Sequence, residues 1–135
     1  MSELIKIATE KTPQEIIEAI KNKASEYNFI IREVFNMAKE FKDHGVKVEN
    51  NFEYYSIMIC NPEKAYQSIL KNPIRGAVLL PPKQVVIYPE NDKTIIAYAT
   101  IEKKDVKCML PDDEAFQKGL EESCNKIKEL ILNIK

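Results

Sequence analysis

The stretch Phe52-Glu53-Tyr54-Tyr55-Ser56-Ile57-Met58-Ile59-Cys60-Asn61-Pro62-Glu63 decides how this chain is read. Up to Cys60 it is rich in β-branched and aromatic residues, which suit a pleated strand. At Asn61-Pro62 the chemistry changes. Asn is a good helix N-cap, because its side-chain oxygen accepts one of the N–H groups that a first turn leaves orphaned. Pro suits the first helical position, where its missing N–H had no partner anyway. The junction predicts a strand that runs directly into a helix over about Pro62 to Leu70, with Ala65, Ile69 and Tyr66 turned inward. Asn72-Pro73 ends that helix, since the residue before a proline is pushed out of the helical region.

Upstream, residues 3–9 (ELIKIAT) alternate loosely and suit a first strand. Thr12-Pro13-Gln14-Glu15 then has the form of a capping box with Pro at its first helical position. The helix it opens carries Ile16, Ile17, Ile20, Ala24 and Tyr27 on one face. Phe29 to Phe35 reads as a second strand. Met37 to Asp43 reads as a short helix stopped by Gly45. Downstream, Ala77 to Leu80 reads as a short strand interrupted by Pro81-Pro82, which cannot donate to a ladder. Val85 to Tyr88 resumes it. Pro89-Glu90-Asn91-Asp92 is turn chemistry, and Thr94 to Ile101 returns as the partner strand of a hairpin. Glu102 to Lys107 reads as a charged connector. Pro111-Asp112-Asp113-Glu114 opens a last helix, its acids placed at the positive end of the helix dipole. Phe116, Leu120, Cys124, Ile127, Ile131 and Ile134 form its apolar face. The order β-α-β-(α)-β-α-β-β-α predicts an α+β fold, a two-layer sandwich of helices on one face of a mainly antiparallel sheet.

The bulk properties bound the function. A chain of 135 residues suits one domain, residues 1–135. Lys and Arg number 20 and Asp and Glu 21. That balance argues against nucleic acid as a partner, because phosphate backbones call for a basic excess. It also gives little protection against self-association. No apolar run is long enough to span a membrane, and the first residues lack the pattern of a signal peptide. The three cysteines, Cys60, Cys108 and Cys124, are odd in number and widely spaced. They form no disulfide framework, and a reducing cytoplasm is the simpler location.

Ile59 to Ile101 also carries a resemblance. Cys60-Asn61-Pro62, a helix with Ala65, then Leu79-Leu80-Pro81 and the hairpin strand Val85–Tyr88 resemble the domain of unknown function 302 family. The segment Phe41–Val46, with Gly45, is similar to the family's segment before its third strand. The resemblance implies a β-α-β4-α-like core and a tendency to form homodimers, and it implies no catalytic activity. Members often place a second Cys after Leu-Leu-Pro. Here that position is Pro82, which weakens any two-thiol chemistry.

Cys60 is the leading candidate for chemistry. A capped helix start can stabilise a thiolate, and thiolates serve as nucleophiles, metal ligands and sulfur carriers. The plainer reading is a small apolar residue at a packed junction. Cys60 and Asn61, with Pro81 of the Leu-Leu-Pro element, are the candidate ligand-binding residues. The N–H groups of the helix start could receive a small anionic ligand, with Arg75 or Lys83 as counter-charge. Capping alone also explains Asn61. His44, the only histidine, cannot build a His-rich metal site, but it could act as a base or a haem ligand. Cys108 and Cys124 lack the short paired spacing of a zinc site, and Cys124 falls on the apolar face of the last helix. Tyr54, Tyr55, Tyr66, Tyr88 and Tyr98 could line a pocket or a dimer face, or pack on the sheet. No phosphate-binding glycine loop, nucleophile elbow or metalloprotease pattern is present, and no motif calls for a cofactor. The expectation is a cytosolic homodimer, not an enzyme, that binds a small ligand or a protein partner. Its rivals are a thiol-based sulfur carrier or redox protein working through Cys60, and a metal- or haem-binding dimer.

Overall fold

The computed structural model describes residues 2–79 and 83–135. Five strands carry the fold: β1 (Leu4–Thr9), β2 (Ile30–Asn36), β3 (Tyr55–Cys60), β4 (Lys83–Glu90) and β5 (Lys93–Ala99). They form one sheet in the order β1-β5-β4-β3-β2, and every neighbouring pair is antiparallel. Two helices cover one face: α1 (Pro13–Lys23) and α6 (Glu114–Ile134). Four shorter helices fill the connections: α2 (Met37–Asp43), α3 (Pro62–Lys71), α4 (Arg75–Leu79) and α5 (Lys103–Met109). The two-layer α+β sandwich is as the sequence predicts, and the β-α-β4-α core is as the resemblance implies.

Local chemistry explains the helix ends. Thr12 Oγ accepts from the Glu15 N–H at 3.2 Å, while the Glu15 carboxylate accepts from the Thr12 N–H at 3.0 Å. The capping box is therefore closed in both directions. At the end of α2, the Gly45 N–H reaches the Lys42 carbonyl and the Val46 N–H reaches the Phe41 carbonyl, both at 3.0 Å. This doubled return needs a left-handed residue, and Gly45 supplies it with φ 80°. The β4–β5 hairpin turns on Asn91 and Asp92, at φ 52° and 65°. These are the two residue types that tolerate that region best after glycine. The turn is tighter than expected, because Pro89 and Glu90 stay in β4, opposite Thr94 and Lys93.

The main core lies between the sheet and α1 with α6. Ile16, Ile17 and Ile20 of α1 and Cys124, Ile127, Ile131 and Ile134 of α6 are buried there against Ile57, Ile59, Val85, Ile87 and Ile96. A smaller cluster of Val106, Phe116 and Leu120 lies under α5.

Three readings are corrected. The segment from Ala77 is not a strand: Arg75–Leu79 is helical. Its apolar run suited a strand, but the Arg75, Gly76 and Ala77 N–H groups bond back to the carbonyls of Asn72, Pro73 and Ile74. These local bonds take the backbone groups that a ladder would need. The rest of that predicted strand, with Leu80, Pro81 and Pro82, lies outside the described residues. Glu102–Lys107 is not a connector: Lys103–Met109 is α5, and it is tied down by fully buried Val106. Finally, Tyr66 and Ile69 are exposed, and α3 contributes no buried residue. Its inner side faces a cleft, not the core.

Candidate functional site

The cleft lies where β3 passes into α3. It has a volume of about 410 Å³ and is bounded by Ile59, Cys60, Asn61, the inner side of α3, Arg32 of β2 and the first half of α6. Its apolar surface comes from Ile59, Ala65, Ile69, Phe116 and Leu120. Gly119 makes room on the α6 side, since a Cβ built there would meet nothing within 4 Å.

Asn61 caps α3 as expected, accepting from the Lys64 N–H at 3.1 Å. That bond occupies one of the N–H groups an anion would need. Cys60 is half-buried and lines the cleft. Its expected partners are elsewhere. His44 ends α2, where its Nδ1 lies 2.8 Å from the Glu40 carbonyl oxygen. Cys60 pairs with Ile30 at the start of β2, while α2 begins after Asn36 at the other end. Six residues of strand separate the two ends by roughly 20 Å. Cys124 is buried in the core, and Cys108 is exposed on α5. Pro81 lies outside the described residues. Among the described residues, no group of three or more His, Cys, Asp or Glu side chains could hold a metal ion.

Arg75 lines the cleft, but its charge is already matched. Its Nε and Nη2 each donate at 2.6 Å to the two carboxylate oxygens of Asp113. Its guanidinium lies 5.4 Å from the centroid of the Phe116 ring, and Nη1 donates to the Ser68 carbonyl at 3.1 Å. Asp113 also accepts from Asn72 and caps α6 through the Phe116 N–H. The Arg75 hydrogen bonds hold its carboxyl at about 2, below the ordinary range. This joint ties the α3–α4 connection to the start of α6 and so fixes one wall of the cleft.

The sequence reading misses three further residues that line the cleft. Lys64 of α3 reaches across to α6, where its Nζ donates to Ser123 Oγ at 3.1 Å and to the Gly119 carbonyl at 3.4 Å. Arg32 is the extra residue of a bulge: Ile31 pairs with Ile59 and Glu33 with Met58, which leaves Arg32 without an opposite partner. A bulge re-aims a side chain, and here the residue lines the cleft. Ser123 is one of the few buried polar residues of α6. Only the fold brings these three together.

The tyrosines do not form the site. Tyr98 is buried beside Cys124, and burial chiefly, with that thiol, pushes its hydroxyl up. Tyr55 lies in the core and donates to Glu53 at 2.9 Å, while accepting from Gln14 at 3.0 Å. Tyr54 and Tyr88 stack at 5.5 Å between centroids, and Phe52 stacks on Tyr54 at 6.3 Å.

Fold and cleft together define an α+β sandwich with a recess between α3 and α6 beside its third strand. The model of the family described as Domain of unknown function DUF302 matches residues 5–134, and the chain belongs to that family. Its backbone is similar to the crystal structure of an uncharacterized conserved protein DUF302 from Bacillus stearothermophilus. The TM-score is 0.67 at 19% identity, over 97% of this chain and 94% of that one. That likeness is one of fold. No curated protein matches the chain. No helix among the described residues is long and apolar enough to cross a membrane.

Proposed function

We propose that this chain is a ligand-binding domain whose cleft between α3 and α6 takes a small, largely apolar molecule. The supporting observation is the cleft itself. Its volume falls in the usual range for small-molecule sites, about 300–1,000 Å³. Its walls carry aliphatic and aromatic side chains with a few convergent polar groups. Among its described lining residues there is no histidine and no carboxylate, the usual general bases. Cys60 fits this reading as a polarizable, weakly polar part of the wall. A thiol-based role would need Cys60 to react without a histidine or carboxylate among the described lining residues.

The test is a titration of the purified chain with decanol and with decanoate, followed by amide chemical shifts. The expected result is saturable perturbation of Ala65, Ile69, Phe116 and Leu120, lost in Gly119→Leu, which fills the α6 side of the cleft. If neither compound perturbs these residues, the reading fails.

A second reading concerns assembly, and the largely apolar second face of the sheet favours it. Phe35, Ser56, Val86, Ala97 and Lys6 lie in one row across the strands, on the face away from α1 and α6. None of them joins either core cluster. We infer that two copies pair through this face to form a homodimer.

A further inference from the structure

We infer that the molecule taken by the cleft is an amphipathic anion: an aliphatic or aromatic body with one carboxylate or phosphate head, held by Lys64 with help from Arg32 and Lys71. The inference rests on the cleft being a ligand site, as proposed above, and adds the chemistry of the ligand.

The charges carry it. The whole chain is balanced, with 20 basic and 21 acidic residues. The described lining of the cleft is not: its charged residues are Arg32, Lys64, Lys71 and Arg75, all basic. Only Arg75 has an acidic partner, Asp113. Arg32, Lys64 and Lys71 make no ion pair among the described residues. Lys64 is satisfied by two neutral oxygens, a hydroxyl and a carbonyl. These bonds order the ammonium beside the cleft without neutralising it. A carboxylate or phosphate oxygen is a stronger acceptor for it than either. The Arg32 bulge adds an independent argument. It interrupts the β2–β3 ladder, and the residue it frees is a cation that lines the same cleft. The apolar side chains of Ile59, Ile69, Phe116 and Leu120 then leave room for a body that is not itself charged.

The experiment is isothermal titration of the intact chain with four probes of one tail length: decanoate, decyl phosphate, decanol and decyltrimethylammonium. At least one anion is expected to bind roughly tenfold more tightly than decanol, one charge-assisted hydrogen bond's worth. Added salt should narrow that gap. Lys64 is exposed, so Lys64→Met should fold normally, and it should remove most of the preference. Whichever anion binds more tightly assigns the head group. If decanol or the cationic probe equals the anions, the anion inference is overturned while the cleft reading stands. If none of the four binds, both fall. An anion preference undiminished in Lys64→Met would overturn the assignment of Lys64.

Discussion

Gly119 shows how one residue can serve a site at the expense of its own helix. It lies inside α6, where glycine costs about 1 kcal/mol relative to alanine. Its backbone is not left-handed and its Cβ position is open, so nothing in the chain geometry requires glycine. The purpose that fits is space in the cleft. Gly119→Ala is therefore expected to raise the unfolding free energy by about 1 kcal/mol, measured by denaturant titration. A loss of stability instead would mean that the methyl group meets something and that the space is not free. The contrast with Asn61 and Cys60 shows how much of the site was legible. Those two stand next to a visible strand-to-helix junction, and Asn61 does what capping physics says. Gly119, Ser123, Lys64 and Arg32 belong to three separate elements. No local pattern marks them, because their shared property is the cleft they face.

At the scale of elements, α3 is held at its ends, not along its length. It buries no residue of its own. It is capped by Asn61 at one end and tied at the other through Asn72, Arg75 and Asp113. Asp113→Ala removes the cap of α6 and leaves a largely buried guanidinium unpaired. A loss of roughly 3 kcal/mol is expected, with faster amide exchange in α3 and α4. Asp113→Asn keeps the cap and should recover part of that loss. The carboxyl titrates lower in the folded chain, at about 2, than in the unfolded one. Its contribution is thus complete above the ordinary carboxylate range and disappears as the pH falls through about 2. The loss of stability between about pH 4 and pH 2 should be shallower in Asp113→Asn than in the parent chain. Equal slopes would remove Asp113 from the account. Elements with strong periodicity or caps were readable: α1, α6, β3 and the hairpin each carry their own signal. The segments α4 and α5 were not. Each is a turn or two long and is fixed by contacts with distant residues: Arg75 on Asp113 for α4, and Val106 in the small cluster with Lys103 on Glu121 and Glu114 of α6 for α5.

For the whole molecule, the question is what covers the second face of the sheet. Ile95 and Ala97 are buried on it, and Phe35, Met58, Val86 and Tyr88 are half-buried. Ser56, in the middle of the row, is buried with a hydroxyl that has no partner among the described residues. The one charged residue of that row is Lys6, on the edge strand β1, which pairs with Glu90. Five strands of about six residues present roughly 480 Å² in projection, given about 4.8 Å between strands and 3.3 Å per residue. A standard interface needs about 800 Å² from each partner. The sheet face alone falls short, so a stable pair has to reach beyond it. The natural extension is the aromatic group at its edge, where Phe41 and Phe52 are exposed and run on through Tyr54 to Tyr88. Near-zero net charge offers no long-range repulsion to oppose the approach. The expectation is a dimer by light scattering that dissociates on dilution. Val86→Lys at the centre of the face and Phe52→Glu in the aromatic extension should each shift it to monomer without unfolding the chain. If Val86→Lys dissociates the pair and Phe52→Glu does not, the interface is confined to the sheet and the area argument is wrong. A monomeric mass at every concentration would remove the dimer altogether.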